Sequence, residues 1–245
     1  MTQSLPVLQT HYFESEKGLE SARSLIDRKC RNMGHLIGSY LKYRRKTEPE
    51  NGTFLEEKRR VIDKTRLELP NTASRQTTLL FEARATHAYW QAVYVLARQQ
   101  DCWKRTYPHA QDPLNQLLNI GYTMLNNSIR KATIDHGLAP SIGMLHLPIN
   151  GNEALVYDLT ELFRQPVVDA AILPFFSRRR HPKTLTTKKI IRAILQKFER
   201  KYWYQKGWWR MDDLIVYEIV RYKSALLNHT EWIPYKHDWS HRTQK

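Results

Sequence analysis

A histidine and two carboxylates flank one apolar segment between residues 143 and 164. His146 ends the turn GMLH, a polar loop follows, and Asp158 and Glu161 stand three residues apart in YDLTELFR. Residues three apart share one face of a helix, where two like charges repel unless a cation lies between them. Carboxylate oxygens suit hard divalent cations, and imidazole suits borderline ions such as Mn²⁺. The segment therefore predicts a metal site.

A structural interpretation of the same segment is also open. Asp158 and Glu161 have the spacing of a capping box, with Asp158 as the N-cap and Glu161 as the third helical residue. In that case His146 is a buried histidine with its hydrogen bonds satisfied, and the segment has no role in catalysis.

Another carboxylate lies in apolar surroundings upstream. Glu82, in LLFEARATHAYW, has Leu79 and Ala85 beside it at helical spacing. A carboxylate buried there is costly unless it is paired or bound to a metal. The alternative is an ordinary surface arrangement of Glu82 with Arg84 or Arg75. The sequence thus offers Glu82, together with the later segment, as a candidate ligand.

The bulk composition favours a polyanionic partner. The chain has 245 residues, a formal net charge of +15 and a pI of about 9.8, with 41% apolar residues. Nucleic acid is the simplest such partner. No apolar run approaches the roughly 20 residues that span a bilayer, and the first residues lack a secretory signal. Two distant cysteines form no disulfide framework. These features predict a cytoplasmic protein without a membrane partner.

The cations are concentrated between residues 178 and 210, where twelve lysines and arginines face one acidic residue, Glu199. A solvated helix face normally mixes both signs, so this segment predicts binding to DNA phosphates. The best candidates for DNA contact are Arg178, Arg179, Arg180, Lys188 and Lys189. The aromatic stretch KYWYQKGWW at residues 201–209 reads either as core or as a surface on which bases stack.

Helical periodicity dominates the elements that must position these residues. It predicts helices over about 16–46, 54–68, 73–99, 113–136, 158–171, 184–205 and 211–228, and no clear strand. The apolar face of the first helix includes Leu25, Ile26, Met33 and Ile37. The fourth helix is predicted to start with Asp112 as N-cap and Pro113 as its first residue. Asn51 and Gly52 read as a loop. We predict an all-α fold with a single multi-helix domain over residues 16–237, an N-terminal tail over 1–15 and a C-terminal tail over 238–245.

Five segments in this order resemble motifs of one family. They are ARSLIDRKCRNMGHL with Lys29 and Asn32, FEARATHAYW with Glu82, DPLNQ through GMLH with His146, YDLTELFRQPVVD with Asp158 and Glu161, and the closing LLNHTEWIPYKHDW. The sequence resembles the CRISPR-associated spacer-acquisition integrase and endonuclease family, usually called "Cas one", over residues 16–237. That family usually carries a β-rich N-terminal domain. Because the first predicted helix begins near residue 16, we expect this domain to be absent here: it is missing, resides in another chain or was lost by truncation.

The resemblance implies a site for Mg²⁺ or Mn²⁺ held by Glu82, His146 and Glu161. Asp158 would be a fourth ligand or a group that orients His146 or a metal-bound water. Arg164 would pair with a carboxylate or a phosphate. Since His146 must be neutral to bind a metal, activity should fall below about pH 6.

The implied reaction is phosphoryl transfer on double-stranded DNA. A DNA 3′-hydroxyl would attack a phosphodiester, which inserts a short fragment into a repeat array, and water in its place would nick the DNA. The alternatives are a metal-dependent nuclease without integration and an inactive nucleic-acid-binding scaffold. The implied partners are a second copy of the chain, as a homodimer or higher homo-oligomer, and the small ferredoxin-like protein "Cas two".

Overall fold

A computed structural model describes residues 3–99, 103–147, 151–177 and 186–240. These residues form an all-α fold, as predicted, with one two-stranded hairpin as the only sheet among them. The elements in chain order are α1 (Leu5–Glu14), α2 (Glu16–Thr47), α3 (Pro49–Glu68), a 3-10 turn (Leu69–Asn71), α4 (Arg75–Leu96), α5 (Pro113–Asp135), α6 (Ala154–Thr160), a π-helical turn (Arg164–Asp169), α7 (Ala170–Phe176), α8 (Thr187–Glu199), β1 (Lys201–Tyr204), β2 (Gly207–Arg210) and α9 (Met211–Leu227).

The long helices begin at side-chain caps that the sequence supplies. Ser15, Ser74 and Asp112 accept hydrogen bonds from the backbone N–H groups of Gly18, Thr77 and Asn115, at 3.1, 3.2 and 2.9 Å. Each cap satisfies an N–H group that a helix otherwise leaves without a partner at its start. The start of α5 was predicted from Asp112 and Pro113, and the structure confirms it.

Helix α2 crosses the core and packs against α3 and α4. Its predicted apolar face is buried, including Leu25, Ile26, Met33 and Ile37. A helix buried along most of one face can carry a polar side chain into the interior, and α2 does so at Lys29, which is 2% exposed.

One predicted loop and one predicted helix are wrong. Asn51 and Gly52 lie inside α3, and the chain turns between α2 and α3 at Glu48 alone. A Cβ at Gly52 would lie 2.9 Å from Arg45 Cα, so the glycine serves the close approach of the two helices. The prediction of a helix over 158–171 also fails, because α6 ends at Thr160 and a π-helical turn containing Pro166 precedes α7. Proline has no N–H to continue the helical ladder.

A β-hairpin replaces the end of the helix predicted over 184–205. Lys201–Tyr204 pairs antiparallel with Gly207–Arg210, in a register that places Tyr202 opposite Trp209. Gln205 and Lys206 form the turn with φ of 46° and 63°. Both residues are left-handed, as a two-residue hairpin turn requires, but neither is the glycine or asparagine by which such turns are recognised in a sequence.

The predicted N-terminal tail is in part ordered against the core, next to the segment that follows α9. Residues 5–14 form α1, whose Tyr12 hydroxyl lies 2.7 Å from Ser21 Oγ and accepts a hydrogen bond from Trp232 N at 2.8 Å. Trp232 and Tyr235 are each 1% exposed. Helix α1 and the segment after α9 therefore meet at Ser21 of α2. No helix among the described residues is both long and apolar enough to cross a bilayer.

Candidate active site

One buried ammonium group lies between two carboxylates that are far apart in the sequence. Lys29 Nζ, from α2, forms an ion pair with Glu82 Oε1 of α4 and lies 2.8 Å from Glu161 Oε2, just after α6. The side chains of Lys29, Glu82 and Glu161 are 3%, 16% and 6% exposed. The structure thus brings the two predicted glutamates to one point, with a cation between them.

Asp158 holds the turn that carries His146. Its side chain is fully buried, and its Oδ2 accepts hydrogen bonds from Met144 N at 2.7 Å and Leu145 N at 2.9 Å. Its Oδ1 lies 2.5 Å from His146 Nδ1. Asp158 belongs to the last turn of α6, so the capping-box interpretation, with Asp158 as N-cap, is wrong.

The geometry at Asp158 favours one of its two predicted roles. Both carboxylate oxygens are engaged by the turn and by the imidazole, which leaves little capacity for a metal. A carboxylate that accepts a hydrogen bond from one ring nitrogen of a histidine ligand fixes the orientation and tautomer of that histidine. The contacts of Asp158 therefore fit the group that orients His146 better than a fourth ligand.

His146 is partly exposed, with 36% of its side chain accessible. The hydrogen bond with Asp158 raises the pKa of His146 above its ordinary value, and this outweighs burial, which lowers it. The charges of Glu161 and Glu82 raise the pKa of His146 further. Because Nδ1 faces Asp158, Nε2 is the ring nitrogen that remains for a ligand.

The electrostatics of the glutamate pair depend on Lys29. Burial raises the pKa of Glu82, but the Lys29 ammonium outweighs it and holds this pKa below its usual range. Burial lowers the pKa of Lys29, but Glu161 and then Glu82 outweigh it and raise this pKa. Thr86 also donates a hydrogen bond to Glu82 Oε1, at 2.7 Å. Glu82 and Lys29 are therefore both charged at neutral pH.

Arg164 adds a second cation on the far side of Glu161. Its Nη1 lies 3.0 Å from Glu161 Oε1, and its guanidinium lies 4.9 Å from the centre of the Tyr122 ring. The Tyr122 hydroxyl donates to Asp169 at 2.6 Å, and burial raises the pKa of Asp169 to about 6. Of the two partners predicted for Arg164, the structure shows the carboxylate.

The donor set fits a divalent cation in its chemistry. Glu82 and Glu161 already share one positive centre, and carboxylate oxygens with an imidazole nitrogen are ligands that Mg²⁺ or Mn²⁺ accepts. Within the described ranges, however, no three histidine, cysteine, aspartate or glutamate side chains are close enough to hold an ion as they stand. The Lys29 ammonium occupies the point where the two carboxylates converge.

Lys29 was recognised in the sequence only as part of a family motif, and no role at the site was predicted for it. A signal for that role was present. Leu25, Ile26 and Met33 lie three or four residues from Lys29 and mark the buried face of α2. A lysine on such a face requires a carboxylate partner, because an unpaired buried charge is costly.

The predicted DNA contacts are placed only in part. Arg178, Arg179 and Arg180 lie outside the described residues. Lys188 and Lys189 are exposed in the first turn of α8, whose Ile190 and Ile194 are buried in the core. Arg192 is exposed too, whereas Lys197 is largely buried and burial lowers its pKa to about 8. Helix α8 therefore presents cations to solvent along one face.

Comparisons with known proteins agree on one family. The family model described as CRISPR associated protein Cas1 matches residues 2–206. A CRISPR-associated endonuclease Cas1 from Methanospirillum hungatei is 29% identical over 239 residues, which cover 91% of this chain and 69% of that protein. The corresponding protein from Korarchaeum cryptofilum is 28% identical over 212 residues, covering 81% of this chain and 60% of that protein. The chain thus spans about two thirds or less of these relatives.

Solved structures share the fold. A casposase bound to integration product superposes with a TM-score of 0.74 at 21% identity, covering 96% of this chain and 72% of that one. A CAS1 protein from Thermotoga maritima gives a TM-score of 0.70 at 20% identity, covering 94% and 74%. A Cas6-RT-Cas1–Cas2 complex gives 0.74 at 18% identity, covering 96% of this chain and 28% of that one.

Proposed function

Since the chain belongs to the family of CRISPR-associated protein Cas1, we propose that it is a metal-dependent DNA endonuclease and integrase of CRISPR adaptation. The observation that supports this most directly is the meeting of Glu82 and Glu161 at one cationic centre, beside a His146 that Asp158 orients. The alternative of an inactive scaffold leaves such a costly buried cluster unexplained.

Glu82, Glu161 and the Nε2 atom of His146 would hold the ion, Mg²⁺ or Mn²⁺. When bound, this ion lowers the pKa of an attacking hydroxyl and neutralises charge on the phosphate. Asp158 keeps the Nδ1 atom of His146 facing inward, so that Nε2 faces the site. Arg164, held by Glu161, supplies a fixed positive charge next to the position proposed for the phosphate.

The proposed reaction exchanges one phosphodiester for another. A 3′-hydroxyl of the incoming DNA forms a bond to phosphorus, and the bond to a 3′-oxygen of the target breaks. The attacking hydroxyl loses its proton and the leaving 3′-oxygen gains one, so no covalent enzyme intermediate is required. If water attacks instead, the same site nicks the DNA.

The proposed partners follow from charge and from the relatives. Double-stranded DNA fits a chain with a net charge of +15. A structural neighbour contains Cas2, and we propose that this chain also works with a Cas2 protein and with a second copy of itself. Size-exclusion chromatography with light scattering, with and without Cas2, measures both associations.

The test combines a labelled duplex with free 3′-hydroxyl ends, a supercoiled target that carries a repeat, and Mg²⁺ or Mn²⁺. Joined products are expected, and nicks alone would support a nuclease without integration. Glu82→Gln should abolish both products, because it removes a ligand charge. Glu57→Gln, on the exposed surface of α3, is the matched control and should be fully active. Retained activity in Glu82→Gln would contradict the proposed site.

A further inference from the structure

The charges of the candidate site are balanced without a divalent ion. The two glutamates carry two negative charges, and Lys29 and Arg164, in contact with them, carry two positive charges. Asp158 is compensated separately, by the backbone N–H groups of Met144 and Leu145 and by the imidazole of His146. A divalent cation that enters here therefore meets a neutral cluster rather than an acidic one.

Lys29 is the group that such an ion would encounter most directly. Its ammonium contacts both carboxylates and its side chain is 3% exposed, so solvent screens it little. Two positive centres that share the same carboxylates disfavour each other strongly at these distances. A DNA phosphate beside the ion would bring negative charge back to the cluster and offset this repulsion.

We infer that Lys29 makes metal binding at this site conditional on DNA. In the free protein its ammonium holds Glu82 and Glu161 together and keeps the affinity for a divalent ion low. When a phosphodiester occupies the site, the added negative charge lets the ion and the ammonium coexist. Lys29 is thus a positioning residue that acts through the two glutamates, and this role rests on the proposed metal-dependent function.

The first test measures Mn²⁺ binding without DNA, from the loss of the free-ion signal in electron paramagnetic resonance. Lys29→Met keeps the length of the side chain and removes its charge, so it should bind Mn²⁺ about tenfold more tightly than the wild type, or tighter still. Lys29→Arg, which retains the charge, should bind as weakly as the wild type. Lys131→Met removes an exposed lysine of α5 and controls for net charge. Equal affinity in Lys29→Met and the wild type would overturn the inference.

Thermal unfolding gives a readout that does not depend on activity. Without the ammonium, two carboxylates face each other in the interior. Lys29→Met should therefore unfold at a lower temperature than the wild type in a chelator, and Mn²⁺ should restore the difference. If the melting temperature of Lys29→Met is unchanged in the chelator, the ammonium does not hold the glutamates together and the inference is wrong.

Mn²⁺ binding by the wild type tests the inference even if Lys29→Met fails to fold. The Mn²⁺ affinity of the wild type should rise about tenfold or more when a duplex with 3′-dideoxy ends is added. The same measurement on Glu82→Gln with the duplex gives the Mn²⁺ bound by DNA itself, and this background is subtracted. The wild type could bind Mn²⁺ equally well with and without DNA, while Glu82→Gln does not bind it. That result would leave the proposed function intact and overturn only the role of Lys29. No Mn²⁺ binding in either state would overturn both.

Discussion

Glu82, Glu161 and His146 are separated by up to 79 residues, yet their surroundings make them electrically dependent on one another. The charges of both glutamates raise the pKa of His146, and Lys29, which contacts both carboxylates, holds the pKa of Glu82 below its usual range. Each side chain is oriented by a partner: Glu82 by Thr86, Glu161 by Arg164 and His146 by Asp158. Such support keeps reacting groups in place before the substrate arrives.

The substitution Asp158→Asn tests whether Asp158 orients His146. Loss of the carboxylate should reduce DNA cleavage about 10–100-fold, as is typical for groups that orient a histidine ligand. The pH dependence should also change. Asp158 raises the pKa of His146, and protonated His146 is lost as a ligand, so wild-type activity should fall as the pH is lowered through that raised pKa. In Asp158→Asn the fall should move to lower pH. A pH–rate profile of nicking measures both effects.

Asp135→Asn, at the exposed end of α5, is the control and should leave the profile unchanged. A wild-type profile that stays flat down to pH 5 would remove His146 from the mechanism, because an imidazolium cannot bind a metal.

Among the elements, the turn before His146 is shaped by its contact with α6. Gly143 has no Cβ, and one placed there would lie 2.4 Å from Asp158 Oδ2 and 3.0 Å from the carbonyl carbon of Ala154. The glycine thus allows the buried carboxylate to reach the backbone N–H groups of Met144 and Leu145. The turn and the start of α6 form one unit with the site.

Gly143→Ala should therefore damage both stability and activity. Forcing a methyl group into this contact should cost about 1–3 kcal/mol of unfolding free energy. Because the same shift displaces Asp158, cleavage should fall as well. Gly34→Ala is the matched control, since the nearest atom to its new Cβ, Asp63 Oδ1, is 3.6 Å away. It lies within α2 and should be neutral or slightly stabilising. Chemical denaturation compares the two, and equal effects would contradict the close-contact argument.

At the scale of the whole molecule, the charge distribution supports the proposed binding of DNA. The excess of cations between residues 178 and 210 is partly carried by the exposed face of α8, while Ile190 and Ile194 fix that helix to the core. The acidic cluster of the site is internally compensated, so it opposes DNA less than its carboxylates alone would. Phosphate binding and the proposed chemistry can therefore occur on one basic molecule.

The salt dependence of DNA binding tests this arrangement. Lys188→Gln should reduce the slope of log affinity against log salt by about one, since each phosphate contact releases counterions. Lys64→Gln, exposed on α3, should change the slope less. Fluorescence anisotropy with a labelled duplex at several salt concentrations gives both slopes, and equal changes would mean that α8 has no special part in binding.

The amino-acid sequence by itself determined the helical character, the start of α5, the buried face of α2 and the residues around which chemistry could occur. These follow from local rules, because periodicity, caps and charge are properties of neighbouring residues. It did not determine the hairpin, whose turn uses Gln205 and Lys206, or the division of residues 158–171 at Pro166. Only the tertiary structure placed Lys29 between Glu82 and Glu161. It also showed that both carboxylate oxygens of Asp158 form hydrogen bonds with the turn that carries His146. Lys29 is 53 residues from Glu82 and 132 residues from Glu161, and Asp158 is 12 to 14 residues from the His146 turn. Which side chains meet across such separations in the sequence is decided by how the helices pack.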